Sequence, residues 1–207
     1  MQADYKSYMM IVMQKISTTP NRKEQTHDRI VDVASRAIRR SGYSGTGVAD
    51  IMKEAGLTHG GFYAHFESRD VLLAEAASRA CADSAALVSS VVASAPPGKA
   101  LQAMMAAYLA PEHIADIETG CPLAALASEV PRQAEPVRQV ADNHVRKMID
   151  AFAGQMPERN PAEASEQAMA LLCSLIGTTI LARAVADPAL SAALCAATMK
   201  HFAETAG

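Results

Sequence analysis

The sequence predicts an all-α protein: a three-helix N-terminal unit containing a helix-turn-helix, joined by one long helix to a larger C-terminal helical bundle. Three observations predict it. Alanine makes up about a fifth of the 207 residues and aromatics only 4%, a composition that favours helix over strand. Apolar residues recur three and four apart through most of the chain. Pro96-Pro97-Gly98, Pro131, Pro157, Pro161 and Pro188 fall between those periodic stretches and punctuate them.

The elements follow in order. Residues 1–23 lack helical period and carry Ser17-Thr18-Thr19-Pro20, so they read as a flexible arm. Asn21 and Glu24 have the spacing of a capping pair, the Asn side chain accepting from the first turn's free amides. Ile30, Ala34, Ala37 and Ile38 carry a helix to Ser41, and Gly42 stops it. Thr46 is placed to cap a short helix with Val48, Ile51, Met52 and Ala55, closed by Gly56. Leu57-Thr58 opens a third helix from His59 to about Phe66. Ser68 caps a fourth that runs through Leu72, Leu73, Ala76 and Ala80 to about Ala93. Ile30, Ile38, Ile51, Leu57, Phe62, Phe66 and Leu72 can close one small core. Longer helices are expected over Lys99–Leu109, Pro122–Val130, Glu135–Gln155, Ala162–Ala186 and Leu190–Glu204.

Several classes are excluded early. No apolar run approaches the roughly 18 residues of a membrane span, and Met9–Met13 is too short for a signal-peptide core. Cys81, Cys121, Cys173 and Cys195 show no C-x-x-C or His-paired spacing, which argues against a zinc module. Without an export signal, they point to reduced thiols in a cytoplasm. No metal, cofactor or membrane is expected. The net charge of −3 hides an asymmetry. Residues 1–70 hold ten Lys/Arg against eight Asp/Glu, and the remainder nine against fourteen. Lys15, Arg22, Lys23, Arg29, Arg36, Arg39 and Arg40 all precede residue 41.

Helix Val48–Ala55, turn Gly56-Leu57-Thr58 and helix His59–Phe66 have the proportions of a helix-turn-helix, whose second helix enters the DNA major groove. Leu57 just before the cap can pack on Phe62 and fix the entry angle. Phe62 and Phe66 face the core, while His59 and Tyr63 share another face. Gly60 and Gly61 each disfavour helix by about 0.8–1 kcal/mol relative to alanine, which makes sense where backbone amides must approach a phosphate closely. Tyr63 and His65 offer donors suited to phosphates, and Arg69 adds a nearby cation. The plainer reading of the same segment is a flexible His-Gly-Gly turn followed by core aromatics.

The run Gly42-Tyr43, Thr46-Gly47-Val48-Ala49-Asp50-Ile51, Ala55-Gly56-Leu57-Thr58-His59-Gly60-Gly61-Phe62-Tyr63-Ala64-His65-Phe66, Ser68-Arg69-Asp70, Leu72-Leu73 resembles the DNA-binding domain of TetR-family transcriptional regulators over about Glu24–Leu73. The resemblance implies a dimeric repressor that binds a double-stranded DNA operator, with an all-helical C-terminal domain that takes a small-molecule inducer. Thr46, Tyr63, His65 and Arg69 match the family's phosphate-contact positions, and Thr58, His59 and Gly60 those nearest the bases. His59 stands where many relatives carry Arg, Lys or Pro, and Ala64 where a larger polar residue is common. The division that follows is an arm at 1–23, a DNA-binding domain at 24–70, and a ligand-binding and dimerisation domain at 71–207.

In the bundle, Leu171, Leu172, Leu175, Ile176 and Leu181, then Leu190, Leu194, Met199 and Phe202, form apolar stripes on the last two helices. They look like the family's homodimer interface, and by periodicity alone serve equally as intramolecular core. Met104, Met105, Tyr108, His144, Met148, Phe152 and Met156 lie in segments expected to surround an inducer cavity, and equally suit ordinary core filling. Gly120-Cys121-Pro122-Leu123, with Leu126–Val130, is similar to a TetR subgroup of which some members sense electrophiles or oxidants through a cysteine here. Cys121 would open a helix before Pro122, where a thiolate is favoured; the other reading is a small buried hydrophobe. Two alternatives differ in class. One is a helical dimer binding DNA without sequence preference, and the other an enzyme using Cys121 as nucleophile with His113 or His144 as base.

Overall fold

A computed structural model describes residues 21–156 and 159–205, and among them every regular element is helical. Most of the expected arm, residues 1–20 with Lys15, lies outside the described residues. The elements are α1 (Arg22–Ser41), α2 (Val48–Glu54), a 3-10 helix (His59–Ala64), α3 (Arg69–Ser94), α4 (Ala100–Tyr108), α5 (Pro111–Ala115) and α6 (Pro122–Leu126). A 3-10 turn (Val130–Arg132), α7 (Glu135–Ala153), α8 (Pro161–Ala184) and α9 (Pro188–Thr205) complete the chain.

The local signals act as their chemistry requires. Asn21 Oδ1 accepts from the Lys23 and Glu24 amides at 2.9 and 3.0 Å, and Glu24 reaches back to the Asn21 amide at 2.8 Å. Gly42 ends α1 with a φ of 74°, and Ser68 Oγ accepts from Val71 N at 3.2 Å to open α3. Three expectations are corrected. Thr46 does not cap α2; Gly47 holds that position without a side-chain bond, because the Thr46 hydroxyl is turned inward. The segment after Thr58 is a six-residue 3-10 helix rather than an α-helix to Phe66, as two consecutive glycines make an α-helical turn costly. The stretch Pro122–Val130 is not one helix: α6 ends at Leu126, and Pro131, which has no amide hydrogen, sits in a separate 3-10 turn.

Two cores result. The first gathers Ile30, Ala34, Ile38, Ile51, Met52, Phe62 and Phe66 with Leu72, Leu73 and Ala76 from the start of α3, and Leu126 and Val137 join it. Leu57 packs against it, half-buried. The second gathers Met104, Met105, Tyr108, Cys121, Met148, Phe152, Leu171, Leu175 and Phe202. Helix α3 belongs to both, since Val88, Val91 and Val92 near its end pack on the second core. Its 26 residues make a rod about 39 Å long at 1.5 Å per residue. Arg79 on α3 pairs with Asp32 and, at 3.8 Å, with Asp28 on α1.

Helix α8 is long and apolar enough to cross a membrane by length and hydropathy, an exception to the expectation from the sequence. It packs against α7 and α9, burying Ala168, Leu171, Leu172 and Leu175. Arg183 in its last turn donates to the carbonyls of His113, Ile114 and Asp116 at 2.9–3.2 Å.

Candidate nucleic-acid interface and ligand cleft

The 3-10 helix presents two unlike sides. Phe62 and Phe66 are each 2% exposed, stacked with ring centres 5.6 Å apart. Thr58, His59, Gly60, Tyr63 and Ala64 face solvent, with Tyr63 73% exposed. A Cβ added to Gly60 would meet nothing within 4 Å, and at Gly61 it would make only ordinary contacts, at 3.7 Å or more. Neither glycine is demanded by the fold.

Of the four residues matched to phosphate contacts, only Tyr63 stands free. The Thr46 hydroxyl donates inward to Gly42 O, at 2.7 Å. Arg69, half-buried, donates to the carbonyls of Tyr43 and Thr46, so its guanidinium ties the α1–α2 turn to the start of α3. His65 is half-buried, and its Nδ1 has no partner. Burial, then His27 and Lys23, push its pKa down. His27 stacks on Phe66 at 4.5 Å and pairs with Glu75 at 2.6 Å. Among the basic residues of α1, Arg22, Lys23, Arg29 and Arg36 are exposed. Arg40 pairs with Glu54 and Glu118, each at 2.9 Å. Arg39 is 3% exposed, donating to Gly120 O at 3.3 Å and lying 3.5 Å from Asp83.

In the bundle, Met104, Tyr108 and Phe152 line one cleft, with Ser84, Val88 and Val91 of α3 and with His113. Counted together with the open solvent at its mouth, the space there is about 370 Å³. The α3 residues were missing from the sequence reading; the signal was the apolar face of α3 beyond Ala80, read only as a connector. His144 and Met148 are buried on the same helix as Phe152 without lining this cleft, and Met105 and Met156 are core. A second, narrower cleft lies where the two cores meet, lined by Tyr43, Ala77, Cys81, Leu126, Val130 and Val140 among others.

Cys121 sits at the N-cap of α6 and is 2% exposed. Its amide donates to His113 Nε2 at 3.2 Å, so His113 carries its proton on Nδ1 and donates that to Tyr108 O at 2.5 Å. Burial lowers the His113 pKa and holds the ring neutral. Both ring nitrogens are thus committed to backbone atoms, and neither serves the thiol as a base. Burial, then Cys121, pushes the Cys81 thiol up to about 12; Cys173 is exposed on α8. Among the described residues no three His, Cys, Asp or Glu side chains are placed to hold a metal ion.

Residues 30–76 match the family model described as bacterial regulatory proteins, tetR family, and residues 97–191 match the C-terminal domain of LmrA/YxaF-like transcriptional regulators. The HTH-type transcriptional regulator AcrR of Shigella flexneri is 37% identical over 57 residues, 28% of this chain and 26% of that protein. The match therefore spans about a quarter of that relative's length. Among solved structures, a TetR-family regulator from Agrobacterium tumefaciens is 25% identical with a TM-score of 0.73, covering 86% of this chain and 98% of its own. A second, from Cytophaga hutchinsonii, has a TM-score of 0.77 at 17% identity over 90% of this chain and 98% of its own. Reduced E. coli NemR has a TM-score of 0.71 at 18% identity over 86% and 94%; these last two show the fold alone.

Proposed function

The chain belongs to the TetR family of transcriptional regulators, DNA-binding through a helix-turn-helix, and from that premise we propose a ligand-responsive repressor. It binds a palindromic operator as a homodimer in the cytoplasm and is released by a small-molecule or thiol-reactive inducer. The proposed DNA-binding domain is 24–70, and 71–207 is the ligand-binding and dimerisation domain. Thr58, His59 and Gly60 approach the bases and Tyr63 a phosphate. With Thr46 and Arg69 bonded internally, their part is to set the angle at which the 3-10 helix meets DNA. His65 stands at the edge of this face.

The observation that carries this reading is Gly60. It is exposed, its φ is not in the left-handed region, and a methyl group there would touch nothing. A residue that weakens its own helix without benefit to the fold is explained by close approach of its backbone to a partner. Leu171, Leu172, Leu175 and Phe202 of the expected stripes are buried in the single chain's own core, so dimerisation rests instead on Leu181 and Leu190 of those stripes with Met169 and Ile180, large apolar residues of α8 and α9 that are 44–53% exposed. Two heads one DNA turn apart then read a palindrome. Of the inducer classes, the small molecule has the firmer support: the bundle holds an apolar cleft, whereas the Cys121 thiol is buried. Inducer bound in the bundle shifts α3, which passes through both cores.

The test is fluorescence anisotropy on the duplex immediately upstream of the chain's own gene, against a shuffled duplex. The native duplex is expected to bind about a thousandfold tighter. Gly60→Ala should weaken it about tenfold or more while leaving the melting temperature equal or higher. Equal binding to both duplexes favours the non-specific reading, and an unchanged affinity in the Gly60→Ala protein removes the close-approach argument.

A further inference from the structure

Helices α3 and α7 pack side by side, and their facing sides line both clefts. On α3, Ala77 and Cys81 face the cleft at the junction of the cores, and Ser84 and Val88 the cleft in the bundle. On α7, Val140 faces the former and Phe152 the latter. His144 stands between them, one turn beyond Val140 and two turns before Phe152. It is 1% exposed, and neither ring nitrogen has a partner. Tyr108, in the wall of the bundle cleft, is 7% exposed, and its hydroxyl is likewise without a hydrogen-bond partner. The adjacent Cys121 thiol is at best a weak acceptor.

Buried polar atoms left unpaired are expensive, and a leucine or phenylalanine of similar size would fill either position without that cost. Two of them, Tyr108 at the end of α4 in the bundle cleft and His144 on α7 between the two clefts, mark the places where a guest's polar groups belong. We propose that the inducer is an elongated, uncharged, largely apolar molecule with a hydrogen-bonding group near each end, one meeting the Tyr108 hydroxyl and the other the His144 imidazole along the α3–α7 seam. The inference rests on the ligand-responsive reading above. The absence of charge follows from the walls: among the described residues no Lys, Arg, Asp or Glu lines either cleft, so an ion entering would lose its hydration without a counter-charge. The neutral imidazole, kept so by burial, can donate from one nitrogen and accept at the other, so a phenol, alcohol or ketone satisfies it. A guest spanning both groups leads from the bundle cleft toward the second cleft, which Tyr43 and Leu126 of the first core help to line.

Calorimetry on the full chain tests this with biphenyl-4,4′-diol, 4-phenylphenol and biphenyl-4,4′-dicarboxylate. The diol is expected to bind once per chain and about fivefold tighter than 4-phenylphenol, the worth of one added hydrogen bond. The dicarboxylate should bind at least about a hundredfold more weakly. Tyr108→Phe and His144→Leu should each erase the diol's advantage. 4-Phenylphenol, which can use whichever partner remains, should change less than about twofold in either. Equal binding of diol and phenol, indifference to both variants, tighter binding of the dicarboxylate, or no binding of any compound each overturns the proposal. The same preparations are titrated with the upstream duplex. Specific DNA binding without diol binding overturns the ligand class and leaves the regulator standing; the converse result removes the regulator and keeps the ligand.

Discussion

At the scale of single residues, His144 links stability to acidity. Burial, with Lys147 adding to it, lowers its pKa to about 4 from the 6.5 of a free imidazole. Between these values the unfolded chain binds more protons than the folded one, so stability rises with pH in that window and is lost as pH falls through it. His65 and His113 are shifted in the same direction. Urea unfolding at pH 7 and pH 5 is expected to show His144→Leu losing about 2 kcal/mol less than the parent over that interval. Equal losses in the two proteins would contradict the assignment. What was legible in the sequence at this scale is what one helical face decides: Phe62 and Phe66 in, His59 and Tyr63 out. Thr46 reads from the sequence as a helix cap and Arg69 as a cation near a phosphate, and the family resemblance matches both to phosphate contacts. Their actual partners, the carbonyls of Gly42, Tyr43 and Thr46, are set by the turn between two helices, which periodicity does not encode. The unpaired state of His144 is likewise a property of its neighbours, invisible in its own spacing.

At the scale of elements, the segment from Asp116 to Cys121 joins the parts. Arg39 and Arg40 of α1 reach Gly120 and Glu118 from one side, and Arg183 of α8 holds the carbonyls of His113, Ile114 and Asp116 from the other. Gly120 permits the approach, for a Cβ there would stand 2.5 Å from Asp116 O and 2.8 Å from Arg183 Nη2. Gly120→Ala is expected to destabilise the chain by about 1–3 kcal/mol, read as a fall in the melting temperature of several degrees. A melt unchanged from the parent would show that the segment is not clamped. The long helices were read to within two residues, because many turns of pattern average out local ambiguity. Among the short elements only α2 was, Val48–Ala55 expected against Val48–Glu54 found. Helix α5 has five residues, too few for a period to register, with Pro111 at its start as the one available sign. The division of Pro122–Val130 follows from Pro131 and from the reach of Glu129 to the Ser44 amide at 3.2 Å, a contact 85 residues away in sequence.

For the whole molecule, the two parts differ in charge. The basic excess lies before residue 71 and the acidic excess after it, although burial of Arg39 and the pairing of Arg40 withdraw two cations from any DNA-facing field. Helices α8 and α9 are apolar on the side turned away from the bundle as well as toward it, and that surplus is what a second chain would cover. Leu181→Glu, at a position 53% exposed, should raise the dimer dissociation constant about thirtyfold or more. Sedimentation at fixed concentration would show monomer, with loss of tight operator binding. Dimer retained at parental strength would place the interface elsewhere. The length of α3 has a last consequence. A rod of about 39 Å held at one end by the bundle is a lever, and a tilt of about 5° swings its far tip by about 3.4 Å, the rise of one base pair. In the proposed dimer, a guest that opened the seam only slightly would put the two DNA-facing tips out of step with the groove.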